Sequence, residues 1–285
     1  MDTGFLRHVH ACNTWNPAHF YTFHIDGERV GRIKRPIWEV LQQWPEWFDV
    51  AEDRVTLSAQ IQGFTQRSEV LAQVTGQLLE AGMISHRHGE SYPVTAGRRD
   101  QAYARIDRAA APYFGLRAYG QHLNGYVRDA SGLKLWVARR AADRRNYPSK
   151  LDNLVAGGLP QELGLAENLR KECWEEASIP AALACKAVPV GALTYCRETS
   201  TGLKPDTLYC YDLELPRDFI PVNSDGEVAE FYLMPVAEVA EIVRGTDDFK
   251  LNCNLVVIDF LMRQGIMTPE HLEYLELAAG LHERI

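Results

Sequence analysis

Apolar positions change their spacing several times along this chain, and each spacing predicts an element. Between residues 67 and 81, Val70, Leu71, Val74, Leu78 and Leu79 fall near a 3.6-residue period. That period gathers them on one stripe of a helix, and Gly82 supplies the stop. Residues 19–25 and 28–33 flank Asp26-Gly27, a two-residue turn signal that predicts a hairpin. Residues 36–47 predict a short helix ending by Pro45, and 102–113 read as a second short helix or a connecting segment.

A second unit starts near Gly115. Residues 121–128 and 133–140 predict strands joined by Asp129-Ala130-Ser131-Gly132, with further strands near 188–197, 207–215 and 230–233. Helices are expected over 235–244, with proline in the first turn, over 254–264, and over 269–281. Strands mixed with a few helices predict an α+β chain built around an α/β sandwich rather than a doubly wound sheet. The expected division is a small α+β domain over 1–115 and a larger domain over 116–285, its C-terminal helices packed on it.

Composition narrows the classes. With 285 residues and 46% apolar content, two ordinary domains can each bury a core. A net charge of −8 argues against nucleic-acid binding through a basic surface. No apolar run approaches the roughly 20 residues that span a bilayer, so no membrane partner is expected. The first residues lack the apolar core of a signal peptide. The six cysteines are scattered, without a Cys-x-x-Cys pair, which predicts free thiols and a cytoplasmic location.

Candidate chemistry concentrates in residues 157–179, GGLPQELGLAENLRKECWEEASI. Glu172, Glu175 and Glu176 stand at i, i+3 and i+4, which puts three carboxylates on one helical face. Like charges at that spacing destabilise a helix, and a divalent cation with oxygen preference reverses the repulsion. The two glycines ahead of the helix predict a tight turn with close backbone approach.

This segment resembles the Nudix hydrolase signature, G-x5-E-x7-R-E-U-x-E-E-x-G-U, where U is bulky and apolar. Gly157 takes the first position, Lys171 that of the arginine, and Glu172 the next glutamate. Cys173, Glu175, Glu176 and Ile179 follow in register. Leu163 stands where the first glutamate belongs, Lys171 replaces arginine, and Ser178 replaces the last glycine. The segments YPSKLDNLVAGG, ENLRKECWEEASIP, GEVAEFYLMP and FKLNCNLVVIDFL resemble the thiamine-pyrophosphokinase-related Nudix subgroup, whose members carry an extra N-terminal domain.

The resemblance implies a Nudix α/β/α sandwich and metal-dependent hydrolysis of a thiamine diphosphate analogue to the monophosphate and phosphate. It implies Mg²⁺ or Mn²⁺ held by Glu172, Glu175, Glu176 and the Gly157 carbonyl. Glu175 and Glu230 are the expected catalytic carboxylates, with Glu227 behind Glu230. Arg117, His122, Arg139, Arg140 and Lys150 are the expected substrate-binding residues, with only one of the two adjacent arginines facing inward. Tyr119, Trp136 and Tyr195 are candidates for stacking on a heteroaromatic head. The expected partner is a small-molecule diphosphate, with a homodimer left open. Two alternatives stay open: another nucleoside diphosphate derivative as substrate, or a Nudix-fold binding module without turnover. His86, Arg87 and His88 have neither zinc spacing nor a nearby acidic partner, and predict an exposed loop after the helix over 67–81.

Overall fold

The computed structural model of the protein describes residues 4–284. Its first part comprises α1 (Leu6–Cys12), β1 (Tyr21–Ile25), β2 (Glu28–Ile33), α2 (Arg35–Leu41), β3 (Phe48–Val50), β4 (Arg54–Leu57), α3 (Gly63–Glu80), β5 (Ser91–Val94) and β6 (Ala104–Asp107). The second part begins with β7 (Ala118–Asp129), β8 (Gly132–Arg140), β9 (Leu151–Asn153), β10 (Val155–Gly158), α4 (Leu165–Ala177) and α5 (Ala181–Ala184). It ends with β11 (Val188–Glu198), β12 (Leu203–Glu214), β13 (Val228–Pro235), α6 (Val236–Gly245), α7 (Leu251–Arg263) and α8 (Tyr274–Gly280).

The hairpin of β1 and β2 turns through Asp26 and Gly27, both with positive φ, as a right-twisted two-residue turn requires. Residues 102–113 are neither helix nor plain connection. Ala104 and Ile106 alternate into the core from β6, which pairs with β5. Helix α2 stops at Leu41, short of Pro45, and turns then bring Trp44 and Trp47 together at 6.0 Å. The terminal helix spans only Tyr274–Gly280.

Strands β2-β1-β4-β3 form one sheet. Strands β11-β12-β7-β8-β13 form a larger one, with β10 added beside β7 and β9 beside β8. This second sheet is mixed, because β12 runs parallel to β7 while its other pairs are antiparallel. Alternation sorts its side chains. Leu135, Val137, Leu208 and Cys210 point to α6 and α7, whereas Trp136 and Tyr211 point to α4 and α5. Helices therefore cover both faces. No helix among the described residues is long and apolar enough to cross a membrane.

The first sheet, α2, α3 and the β5–β6 pair share a separate core that runs from Phe23 to Leu116. Helix α1 does not join it. Phe5, Val9 and Cys12 pack instead with α7 and α8 in the core of the second part. All six cysteines are free, and only Cys185 is exposed.

Candidate active site

Gly157 and Gly158 lie in strand β10 rather than in a turn, and neither has a positive φ. Close approach is their role. A Cβ at 157 would fall on the Glu172 carboxylate. A Cβ at 158 would come within 2.6 Å of Tyr92 Oη and 2.8 Å of Arg108 Nη1, both from the accessory unit, the part whose separate core runs from Phe23 to Leu116.

Helix α4 starts at Gly164 without a side-chain cap, and Leu163 brings no carboxylate. The accessory unit grips this entry instead. Arg99 donates to the carbonyls of Pro160 and Leu163, the latter at 2.6 Å. Ser91 O accepts from Gln161 N at 2.8 Å, and Arg105 pairs with Glu162 at 3.0 Å. From within the sheet, Gln121 Nε2 reaches Leu165 O, and Asn168 Nδ2 links Gln121 Oε1 to Gly158 O, each at 2.9 Å. At the other end Ser178 takes the left-handed conformation (φ 51°) that the signature's glycine favours. Ile179 N then closes on Cys173 O at 2.9 Å.

The three glutamates separate. Glu176 is 8% exposed and accepts from Ala156 N at 2.8 Å. Glu172 is half-buried against Gly157. Glu175 stands at the edge, where Lys171 Nζ holds it at 2.7 Å and touches Glu172 at 3.4 Å. Burial, then the neighbouring charges of Asp152 and Glu172, push the Glu176 carboxyl up to about 8. Burial also raises Glu172, with Lys171 opposing and Glu175 and Glu90 adding to the rise. Two inward carboxylates that resist sharing negative charge fit a hard divalent ion, which takes oxygen donors.

A second buried cluster lies beside this one. His122, Asp152 and Cys253 bring their ligand atoms within 4.8 Å, the only such trio of His, Cys, Asp or Glu among the described residues. The trio is already satisfied. Asp152 pairs with Arg140 at 3.0 Å and Lys250 at 3.1 Å, and accepts from Cys253 Sγ at 2.7 Å. Burial would raise its carboxyl, but Lys250, His122 and Arg140 outweigh that and hold it low. His122 is 3% exposed, faces Asn153 Oδ1 at 2.8 Å, and is pushed down to about 4, first by burial and then by Lys250. A cation would have to displace Lys250 here, so the trio reads as an internal brace.

The remaining expected residues scatter. Arg140 turns to Asp152, while Arg139 covers the ring of Tyr232 and donates to its hydroxyl at 3.0 Å. Glu230 is exposed and hydrogen-bonds to that same Tyr232 hydroxyl. Glu227 pairs with Arg144 at 2.8 Å. Lys150 donates to Asp247 O at 2.6 Å. Arg117 stands near Gly97 of the accessory unit. Tyr119, Trp136 and Tyr195 are all buried, so none offers an open face to a ligand. His88 does have acidic company: Glu90 lies 3.7 Å from its ring and Asp107 accepts from its backbone. Sequence reasoning missed Arg108, Glu90, Lys250 and Asp152. Only the last two carried a signal, as charges flanking the apolar segments 251–263 and 154–155.

Residues 4–118 match the family described as a domain of unknown function, DUF4743. Nudix hydrolase 20, chloroplastic, of Arabidopsis thaliana is 41% identical over 293 residues, covering 99% of this chain and 78% of its own. Nudix hydrolase 24, chloroplastic, of the same plant is 43% identical over 279 residues, covering 96% and 76%. The crystal structure of DR0079 from Deinococcus radiodurans superposes with a TM-score of 0.42 and 21% identity, over 56% of this chain and 93% of that one. The chain belongs to the Nudix hydrolase family. It is a hydrolase of a pyrophosphate-type substrate, an α+β protein in which a Nudix sandwich is joined to an extra unit. Enzymes of this family generally use divalent metals.

Proposed function

We propose that this enzyme hydrolyses the diphosphate of a thiamine diphosphate-like molecule, with oxidatively damaged forms such as oxo- and oxythiamine diphosphate as its targets. The four segments similar to the thiamine-pyrophosphokinase-related subgroup support the substrate class. The oxygen of a water bonds to the terminal phosphorus, the bridging P–O bond breaks, and the monophosphate leaves beside inorganic phosphate. Glu172, Glu176 and the Gly157 carbonyl would hold Mg²⁺ or Mn²⁺, which neutralises diphosphate charge and acidifies bound water. Glu175, steadied by Lys171, takes the proton of the attacking water, and Glu230 is the second candidate for that role. Cytoplasm is the proposed compartment.

The observation that carries this reading is the pair of inward glutamates seated on one strand, Glu172 packed against Gly157 and Glu176 bonded to Ala156 N. The test compares the parent with Glu176→Gln on oxythiamine diphosphate, thiamine diphosphate and ADP-ribose, with Mg²⁺ or Mn²⁺. The parent is expected to release phosphate from the thiamine compounds in preference to cleaving ADP-ribose. The variant is expected to fold and to lose roughly a hundredfold in rate. Equal rates for the two proteins, or preference for ADP-ribose, overturn the respective part of the reading.

A further inference from the structure

Arg108 belongs to the accessory unit, yet its guanidinium stands against Gly158 of the active-site strand. Its surroundings fix it in place. Nη1 donates to Glu90 Oε2 at 2.7 Å, and the ring of Tyr92 lies 5.3 Å beneath the guanidinium carbon. The segment bearing Glu90 is itself fastened. Asp107 accepts from His88 N and Gly89 N, each at 3.1 Å, and from Ala109 N at 2.8 Å. The Arg108 side chain keeps 35% of its surface open. Nη1 is its only guanidinium nitrogen with a hydrogen-bond partner among the described residues.

Two features separate this arginine from a domain fastener. Arg99 and Arg105 already fasten the two units, through carbonyls and a carboxylate of residues 160–163. Arg108 finds both its partners, the Glu90 carboxylate and the Tyr92 ring, inside its own unit, and they leave two of its three guanidinium nitrogens without a hydrogen-bond partner among the described residues, beside the glycine strand. The Glu172 carboxylate, across the boundary, adds to the charges that raise the Arg108 guanidinium. A diphosphate approaching Glu172, Glu175 and Glu176 meets a strongly negative site. A guanidinium held in a fixed orientation offsets that repulsion and can grip two phosphate oxygens at once.

We propose that Arg108 grips the substrate diphosphate over Gly157 and Gly158, with Glu90 and Tyr92 as its positioning residues, so that the accessory unit completes the active site. The identity of the ligand rests on the hydrolase reading above. The test uses the full chain and three variants: Arg108→Ala, Arg108→Lys and, as a control on the interface, Arg105→Ala. Calorimetry with Mg²⁺ measures binding of methylenediphosphonate, a diphosphate mimic that water does not cleave. Steady-state assays measure kcat and KM, and paramagnetic resonance measures Mn²⁺ binding.

Arg108→Ala is expected to weaken methylenediphosphonate by about tenfold or more and to raise KM, while Mn²⁺ affinity and Tm stay parental. Arg108→Lys recovers part of the loss, because charge returns without the fork. Arg105→Ala behaves as the parent. Parental KM and parental binding in Arg108→Ala overturn the proposal. So does an equal loss in Arg105→Ala, or a joint loss of Mn²⁺ binding and Tm in Arg108→Ala, since each makes Arg108 a structural prop. A parent that binds methylenediphosphonate through Arg108 but cleaves no diphosphate refutes the hydrolase reading and supports this one.

Discussion

Asp152 and Glu176 are both buried carboxylates, and they sit close enough to feel each other's charge. Asp152 has two cations and a thiol on its oxygens, and its carboxyl is held low. Glu176 has one backbone N–H, and its carboxyl is pushed up to about 8. The first is electrostatically complete within the chain. The second is complete only with a proton or an added cation. This difference separates an internal brace from a binding site more sharply than the count of ligand-type residues, which singles out the brace.

The largest expected effect comes from breaking the completed side. Asp152→Ala strands Arg140 and Lys250 in the interior and is expected to cost about 3–5 kcal/mol in urea unfolding. A loss under about 1 kcal/mol would mean that water already shields those cations.

Glu176→Gln probes the incomplete side. Its raised carboxyl gives the folded, metal-free chain a proton that the unfolded chain releases from 4.5 upward. That contribution is fully present below the unfolded value and is lost as pH rises through about 8. Metal-free parent is therefore expected to lose about 2–4 kcal/mol relative to the glutamine variant between about pH 5 and pH 9. Mg²⁺ or Mn²⁺ should restore the parent and not the variant, and chelator should abolish hydrolysis. Parallel pH–stability curves for the two proteins would remove the contrast with Asp152.

Gly157→Ala sharpens it further. The new methyl group displaces only the flexible end of Glu172, so Tm should hardly move while kcat falls about tenfold. The smallest effect is expected at Ser178→Gly, which relieves a left-handed residue and should raise stability by about 1 kcal/mol at parental activity. Calorimetric unfolding and steady-state assays of both variants check these values.

Regions with one buried face and enough length could be read before folding. Helix α3 repeats its pattern often enough to reveal the period, whereas β7 and β8, buried on both faces over their centres, were marked by the turn residues 129–132 between them. Strands β3, β5 and β9, of three or four residues, hold too few repeats. Strand β10 was hidden because its glycines signal a turn as strongly as a close approach. Within the site, the helical spacing of Glu172 and Glu176 was legible. The pairing of Glu175 with Lys171 was legible as well, because the two are i, i+4 neighbours on one helix. Glu90 and Arg108 lie far from the glycine strand in sequence, and nothing local marks residues that meet only after two units dock.

Helix α1 is separated from its partners by nearly the whole chain. Phe5, Val9 and Cys12 bury themselves among residues of α7 and α8, and His8 Nε2 meets Val243 O at 2.7 Å. During synthesis this helix must therefore wait, with its apolar side uncovered, until those late segments leave the ribosome. Its docking on α7 and α8 is then a clasp between elements far apart in sequence. A fragment cut at the apparent border near residue 116 would forfeit that clasp and expose the seat it occupies.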